Sequence, residues 1–270
     1  MLKDITIGQY FPGRSVLHRL DPRVKILLTF LYIVILFAAT NPIGLLVGIV
    51  FLFVAYGVSR VPPRMILKSL KPVVPIIIFT TILNMFFIEG EALWHWGFLT
   101  ITREGLVTAV IMSVRIICLI AGTSLLTYTT SPIALTDGLE RLMGPLKKLH
   151  FPVHELAMMM TIALRFIPTL IEETDKIMSA QKARGADMES GGLMQRARAL
   201  VPVLIPLFVS AFRRADELAL AMECRCYRGG EGRTRMKQLH MGGADAVCAL
   251  FSLLCLAGVI AINLYAPALL

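Results

Sequence analysis

The chain has 270 residues, 56% of them hydrophobic, with a formal net charge of +9 and a mean hydropathy of +0.73. That balance excludes an ordinary water-soluble domain. The positive charge does not point to nucleic acid, because it lies in short segments between apolar runs and no basic patch is interleaved with aromatics.

The first twenty residues are mixed and polar, and no short apolar core with a small-residue cleavage site marks a signal peptide. Apolar runs follow at residues 24–40, 42–58, 72–88 and 105–127, and another at 244–264. A bilayer core of roughly 30 Å takes about 20 mostly apolar helical residues to cross. Each such backbone closes its own hydrogen bonds in lipid, so helices are expected rather than open sheet. The expected fold is an all-α integral membrane protein of about five spans. Residues 1–127 would form a four-span membrane domain, 128–243 a coupling domain, and 244–270 a last transmembrane helix. Cys118, Cys248 and Cys255 fall within apolar runs.

Orientation follows from the distribution of Lys and Arg, which favour cytoplasmic loops. The N-terminal segment carries Arg14, Arg19, Arg23 and Lys25, and the loop after the second run carries Arg60, Arg64, Lys68 and Lys71 without an acid. The turn at Asn41 and Pro42 is uncharged, and residues 89–104 hold three acids against Arg103. That loop also contains Trp94, His95 and Trp96, an expected interfacial aromatic anchor. The N-terminus is therefore expected in the cytoplasm and the C-terminus outside, in a cell membrane. Cys224 and Cys226 would lie on the cytoplasmic side, where thiols stay reduced.

Between residues 128 and 243 the character changes. One helix is expected from near His154 to Ala183, with Ile171, Thr174, Met178 and Gln181 in a row at helical spacing. A second is expected from near Leu193 to Glu223, with an apolar stripe of Leu204, Phe208, Ala211, Ala215, Leu218 and Met222. Both look too charged for ordinary spans, and Pro168, Pro202 and Pro206 should kink them or mark their starts. The two are a quasi-repeat. Counting back from Arg184 and Arg225, an Asp lies nine residues earlier in each (Asp175, Asp216) and an Ala four earlier (Ala180, Ala221). Each helix thus delivers one arginine between small residues: Ala183, Arg184, Gly185 and Cys224, Arg225, Cys226. A plain basic C-cap accounts for either end alone. Two such ends point to an interaction surface, since a guanidinium grips a carboxylate with two parallel hydrogen bonds.

The two triplets, with Ala180-Gln-Lys-Ala-Arg-Gly-Ala-Asp187, Gly8-Gln-Tyr-Phe-Pro-Gly-Arg-Ser15 and His18-Arg-Leu-Asp-Pro-Arg23, resemble the transmembrane T component of energy-coupling factor (ECF) transporters over the whole chain. The resemblance implies a scaffold for an ATP-driven importer of vitamins or similar micronutrients. Its two helix ends would dock into a pair of cytoplasmic ABC-type ATPases, with Arg184 and Arg225 paired to acids there. The long helices would pass the motion to a membrane-embedded, substrate-binding S component. The family's second triplet is usually Ala-Arg-Gly. Here it is Cys-Arg-Cys, which keeps the arginine but removes glycine at 226, where a helix end calls for φ > 0.

Other signals are weaker. No phosphate-binding Gly-x-x-x-x-Gly-Lys-Ser/Thr loop occurs, so ATP hydrolysis is assigned to partners and no catalytic residue or cofactor is expected. His154-Glu155 begins a zinc-protease motif whose second ligand is missing, since position 158 is Met. Pro152 separates His150 from His154, and Cys224-x-Cys226 lacks a second pair, so no metal is expected either. Arg115 and Arg165 sit in apolar surroundings and call for partners. A self-contained secondary transporter or channel is the alternative. It should carry acids within its spans, where only Asp245 occurs, at the edge of the last.

Overall fold

The computed structural model describes residues 10–88, 92–96, 99–186, 192–229 and 238–265. Ser15 and Asp21 cap the first two helices, α1 (Val16–Arg19) and α2 (Pro22–Ala38), each side chain accepting a backbone N–H from the first turn. Proline near the start opens α2, α3 (Pro42–Ser59), α4 (Pro63–Leu70) and α5 (Val74–Phe87), where a missing N–H costs nothing. An antiparallel hairpin, β1 (Ala92–Trp96) and β2 (Leu99–Thr102), leads into α6 (Arg103–Thr129), capped by Thr102. The side chains of Trp94, His95 and Trp96 lie outside the described residues. Then come α7 (Pro132–Leu142), a 3-10 segment (Gly144–Leu149), α8 (Val153–Ala183), α9 (Leu193–Cys224) and α10 (Gly243–Tyr265).

The protein is an all-α membrane protein, the short hairpin aside. Among the described residues, five helices are long and apolar enough to cross a bilayer: α3, α6, α8, α9 and α10. Three of these match expected spans. The two long charged helices also qualify, because the charges of α8 collect mostly in its C-terminal half and those of α9 flank an uncharged stretch at residues 199–212. The run at 72–88 does not form a straight span. Its helix, α5, has only 14 residues, about 21 Å of rise. It joins α4 across a 63° bend, and only the bent pair reaches spanning length. Pro72 is the physical cause, since it has no N–H to continue the ladder of α4.

The chain falls into two compact units, one holding α1–α6 with α10 and the other holding α8 and α9. In the first, contacts pair Gly44 with Ala39 and Tyr32 with Gly48, so α3 runs against α2. Lys25 pairs with Thr129 and Arg115 with Ala39, so α6 also runs against α2. The last helix runs parallel to α2. At one end the Asp21 N–H donates to Asp245 Oδ1 at 2.9 Å, and at the other Asn263 Nδ2 donates to Ala38 O at 2.5 Å. The core gathers around Tyr32, Leu36, Leu45 and Cys118, and around Ile35, Ala39 and Val259. The Tyr32 ring lies against Gly122, where an added Cβ would meet it at 2.3 Å. Glycine is therefore needed there for α2 and α6 to approach.

Two cations end helices in this unit. Arg115 Nη2 donates to Ala39 O at 2.6 Å, just past the end of α2. Lys25 Nζ donates to Thr129 O at 2.9 Å, at the end of α6. A positive charge there meets carbonyls that have no helical donor. The partner of Arg115 is thus internal. Arg165 is exposed on α8.

Candidate functional site: two arginine-tipped helix ends

The two long helices run antiparallel. Arg214 Nη2 of α9 donates to Glu173 Oε2 of α8 at 2.8 Å, and Ser210 Oγ donates to the other oxygen of the same carboxylate. Farther along, Gln181 Nε2 donates to Pro202 O at 3.3 Å. Moving forward on α8 therefore means moving backward on α9. The Pro202 carbonyl is available because Pro206, four residues on, has no N–H to give it. All three prolines lie inside continuous helices.

The expected row on α8 is the partly buried one: Ile171, Thr174, Met178 and Gln181 are all half-buried. On α9 the expected stripe is only half right. Ala211, Leu218 and Met222 are half-buried, but Leu204 is 45% exposed and Phe208 61%. The packed face instead includes Val203, Leu207, Ser210 and Arg214. The polar partners of Glu173 set the rotation of α9, and its middle is apolar on several sides, so hydropathy alone does not fix the face.

Both helices end in the same geometry. In α8, the Gly185 N–H reaches Lys182 O at 3.0 Å and the Ala186 N–H reaches Gln181 O at 3.0 Å. In α9, the Cys226 N–H reaches Glu223 O at 2.8 Å and the Tyr227 N–H reaches Met222 O at 3.0 Å. These are the paired bonds of a left-handed helix cap, satisfying two orphan carbonyls in each case. Arg184 (φ −83°, ψ 4°) and Arg225 (φ −91°, ψ 12°) are the C-cap residues. Gly185 and Cys226 follow in the left-handed region, at φ 85° and 56°. Cys226 therefore makes the turn glycine usually makes, at about 1–2 kcal/mol of steric strain.

All six triplet residues are exposed: Ala183, Arg184, Gly185, Cys224, Arg225 and Cys226. Among the described residues neither arginine enters an ion pair, and no cluster of three or more His, Cys, Asp or Glu could hold a metal. His154 Nδ1 lies 3.1 Å from Glu140 Oε1, linking the end of α7 to the start of α8. Asp245 accepts the Gly242 and Asp21 N–H groups, which makes it a helix-capping residue.

The model of the cobalt transport protein family, CbiQ, matches residues 13–236. The chain belongs to the CbiQ family. Its relatives in that family carry a more specific name, energy-coupling factor transporter transmembrane protein EcfT. The one from Acidaminococcus fermentans is 58% identical over 94% of both chains. That from Ruminiclostridium cellulolyticum is 56% identical over 92% of both. The Bacillus subtilis protein is 49% identical over 96% of this chain and 98% of its own. A CbiQ-family membrane component of an ECF transporter is what the N-terminal string and the two triplets point to. Within that frame, sequence reasoning missed Glu173, Ser210 and Arg214. The signal was present, because Glu173 and Arg214 each lie eleven residues before the terminal arginine of their helix.

Proposed function

We propose that this chain is the scaffold and coupling subunit of an ECF-type importer. Arg184 and Arg225 are its handles for two ABC-type ATPases, and a membrane-embedded S component supplies the substrate site for a vitamin or similar micronutrient. The observation that carries the proposal is the pair of matching helix ends. Each presents an exposed arginine at the same capped position, and the antiparallel pairing sends the two tips to opposite ends of the pair. Two separated, equivalent tips suit two equivalent partners. A guanidinium at a helix end is permanently charged and fits an acidic groove.

The length of the helices supports the scheme. At 31 and 32 residues each extends about 47 Å, against a bilayer core of roughly 30 Å. Held antiparallel, helices of that length keep the two tips well apart, as two separate partners require. ATP hydrolysis belongs to the partners. The secondary-transporter alternative gains nothing from Asp245, whose oxygens accept the Asp21 N–H at the start of α2 and the Gly242 N–H at the start of its own helix.

Charge reversal at each tip tests the proposal. Arg184→Glu and Arg225→Glu together should abolish co-purification of the ATPases in mild detergent and abolish uptake, while membrane insertion stays normal. Normal ATPase recovery with the doubly reversed chain would overturn it. Mass spectrometry of the wild-type complex identifies the S component and hence the substrate.

A further inference from the structure

A half-open cavity of about 250 Å³ lies within the unit of α1–α6 and α10. Lys25 and Tyr32 of α2 line it, with Thr129 and Gly122 of α6 opposite them. Each pair is seven residues apart, so the cavity runs about 10 Å along the helices. At its inner end Tyr32 stacks on Phe51 at 5.3 Å and Phe51 on Phe251 at 5.7 Å, which makes a floor. Val54, Val58 and Val247 line it and are also exposed, so it opens sideways between α3 and α10.

Four hydroxyls line the cavity, and the backbone takes all of them. Thr29, Thr129 and Ser252 each donate to the carbonyl four residues back at 2.8 Å, and Tyr32 reaches Gly48 O. The surface left facing inward is hydrocarbon, which gives water nothing to bind. Lys25 is the exception. It is 7% exposed, and its ammonium spends two of three N–H groups on His18 O and Thr129 O. Among the described residues it forms no ion pair, since Asp21 holds Arg23 and Asp245 accepts backbone N–H groups. Two exposed arginines adjoin the same end. Arg19 is next to the lining residue Leu20, and Arg60 lies two residues past Val58.

We propose that this cavity holds one acyl chain of an anionic phospholipid from the leaflet at the basic face, with the phosphate beside Lys25 and Arg19. A slot that opens sideways in a membrane protein meets lipid tails, and an apolar wall accepts them. Moving a tail from one apolar place to another gains little. Selectivity therefore belongs to the headgroup, and cations gathered at one end of an apolar slot select a negative one. Nothing in this depends on the tips of α8 and α9 being ATPase handles.

The probe is phosphatidylglycerol carrying a diazirine near the end of one acyl chain. The full chain is reconstituted in phosphatidylcholine vesicles with a trace of this lipid, illuminated and digested, and the labelled residues are read by mass spectrometry. Labels should fall on the floor, at Tyr32, Phe51 or Phe251, and excess plain phosphatidylglycerol should suppress them. Val58→Trp narrows the mouth and should remove the floor labels. Leu253→Trp, at an exposed position of α10 outside the cavity, should leave them. Arg19→Gln alters an exposed side chain and leaves the packing alone. It should lower floor labelling about fivefold, the worth of one basic residue beside an anionic lipid surface.

Four results would each overturn the site. Labels confined to outward-facing residues such as Phe30 and Leu46 would mean bulk lipid only. Equal floor labelling by a phosphatidylcholine bearing the same diazirine would remove the headgroup preference. Suppression by oleate as strong as that by phosphatidylglycerol would make the occupant a free fatty acid. Unchanged floor labelling in Arg19→Gln would separate the cavity from the basic face.

Discussion

The departure from the family pattern at the second tip resolves at the level of one backbone angle. Cys226 sits at φ 56° and makes the same two-bond cap that Gly185 makes at φ 85°. Loss of glycine at 226 raised the question of whether that turn survives, and it does. The sequence carried the spacing of the triplets but not the angle, because a cysteine gives no sign that it will enter the left-handed region. The strain is local and removable. Cys226→Gly should stabilise the end of α9 by about 1 kcal/mol and raise the thermal midpoint of the detergent-purified chain. Gly185→Ala should act in the opposite direction by about 1–2 kcal/mol. An added Cβ meets nothing within 4 Å at Gly185, so the penalty there is conformational and not steric crowding. No change in midpoint for either variant would count against the caps.

Elements show where reading by pattern succeeds and where it runs out. The helices α3, α6 and α10 announce themselves as apolar runs of spanning length. In α8 the half-buried row is legible because polar residues surround it. In α9 the stripe slips off its true face, since Leu204, Ile205, Phe208 and Val209 are exposed apolar residues beside a packed face that includes Ser210 and Arg214. Hydropathy reports what prefers to leave water; in a chain with a second apolar solvent it does not say which neighbour accepts it. The bend between α4 and α5 was likewise hidden, because an apolar run looks the same whether or not Pro72 breaks it. Close approach of α2 and α6 depends on a single glycine. Gly122→Ala would drive a methyl into the Tyr32 ring at 2.3 Å, costing about 1–3 kcal/mol through forced side-chain and backbone shifts. Adding Tyr32→Leu to the same chain should recover part of that loss. Strictly additive midpoints from thermal unfolding in detergent would refute direct packing.

At the scale of the whole molecule, charge and helix direction make one argument. The parallel pairing of α2 with α10 puts the Asp21 and Asp245 ends on one face of that bundle and the Ala38 and Asn263 ends on the other. Because α3 runs against α2, Arg60 at the end of α3 returns to the face of Arg19 and Arg23. The basic residues thus gather on one face, as expected of a cytoplasmic side. Lys25 and Arg115 reinforce the same directions, closing α6 at one face and α2 toward the other. With that face taken as cytoplasmic, residue 23 and residue 265 are predicted to lie on opposite sides of the membrane. Alkaline phosphatase becomes active only outside the cytoplasm, so fusions to it read the prediction directly. A fusion after Tyr265 should be active and one after Arg60 inactive. Activity in both, or in neither, would contradict the parallel pairing. The reverse pattern would keep the pairing and overturn the assignment of the basic face to the cytoplasm.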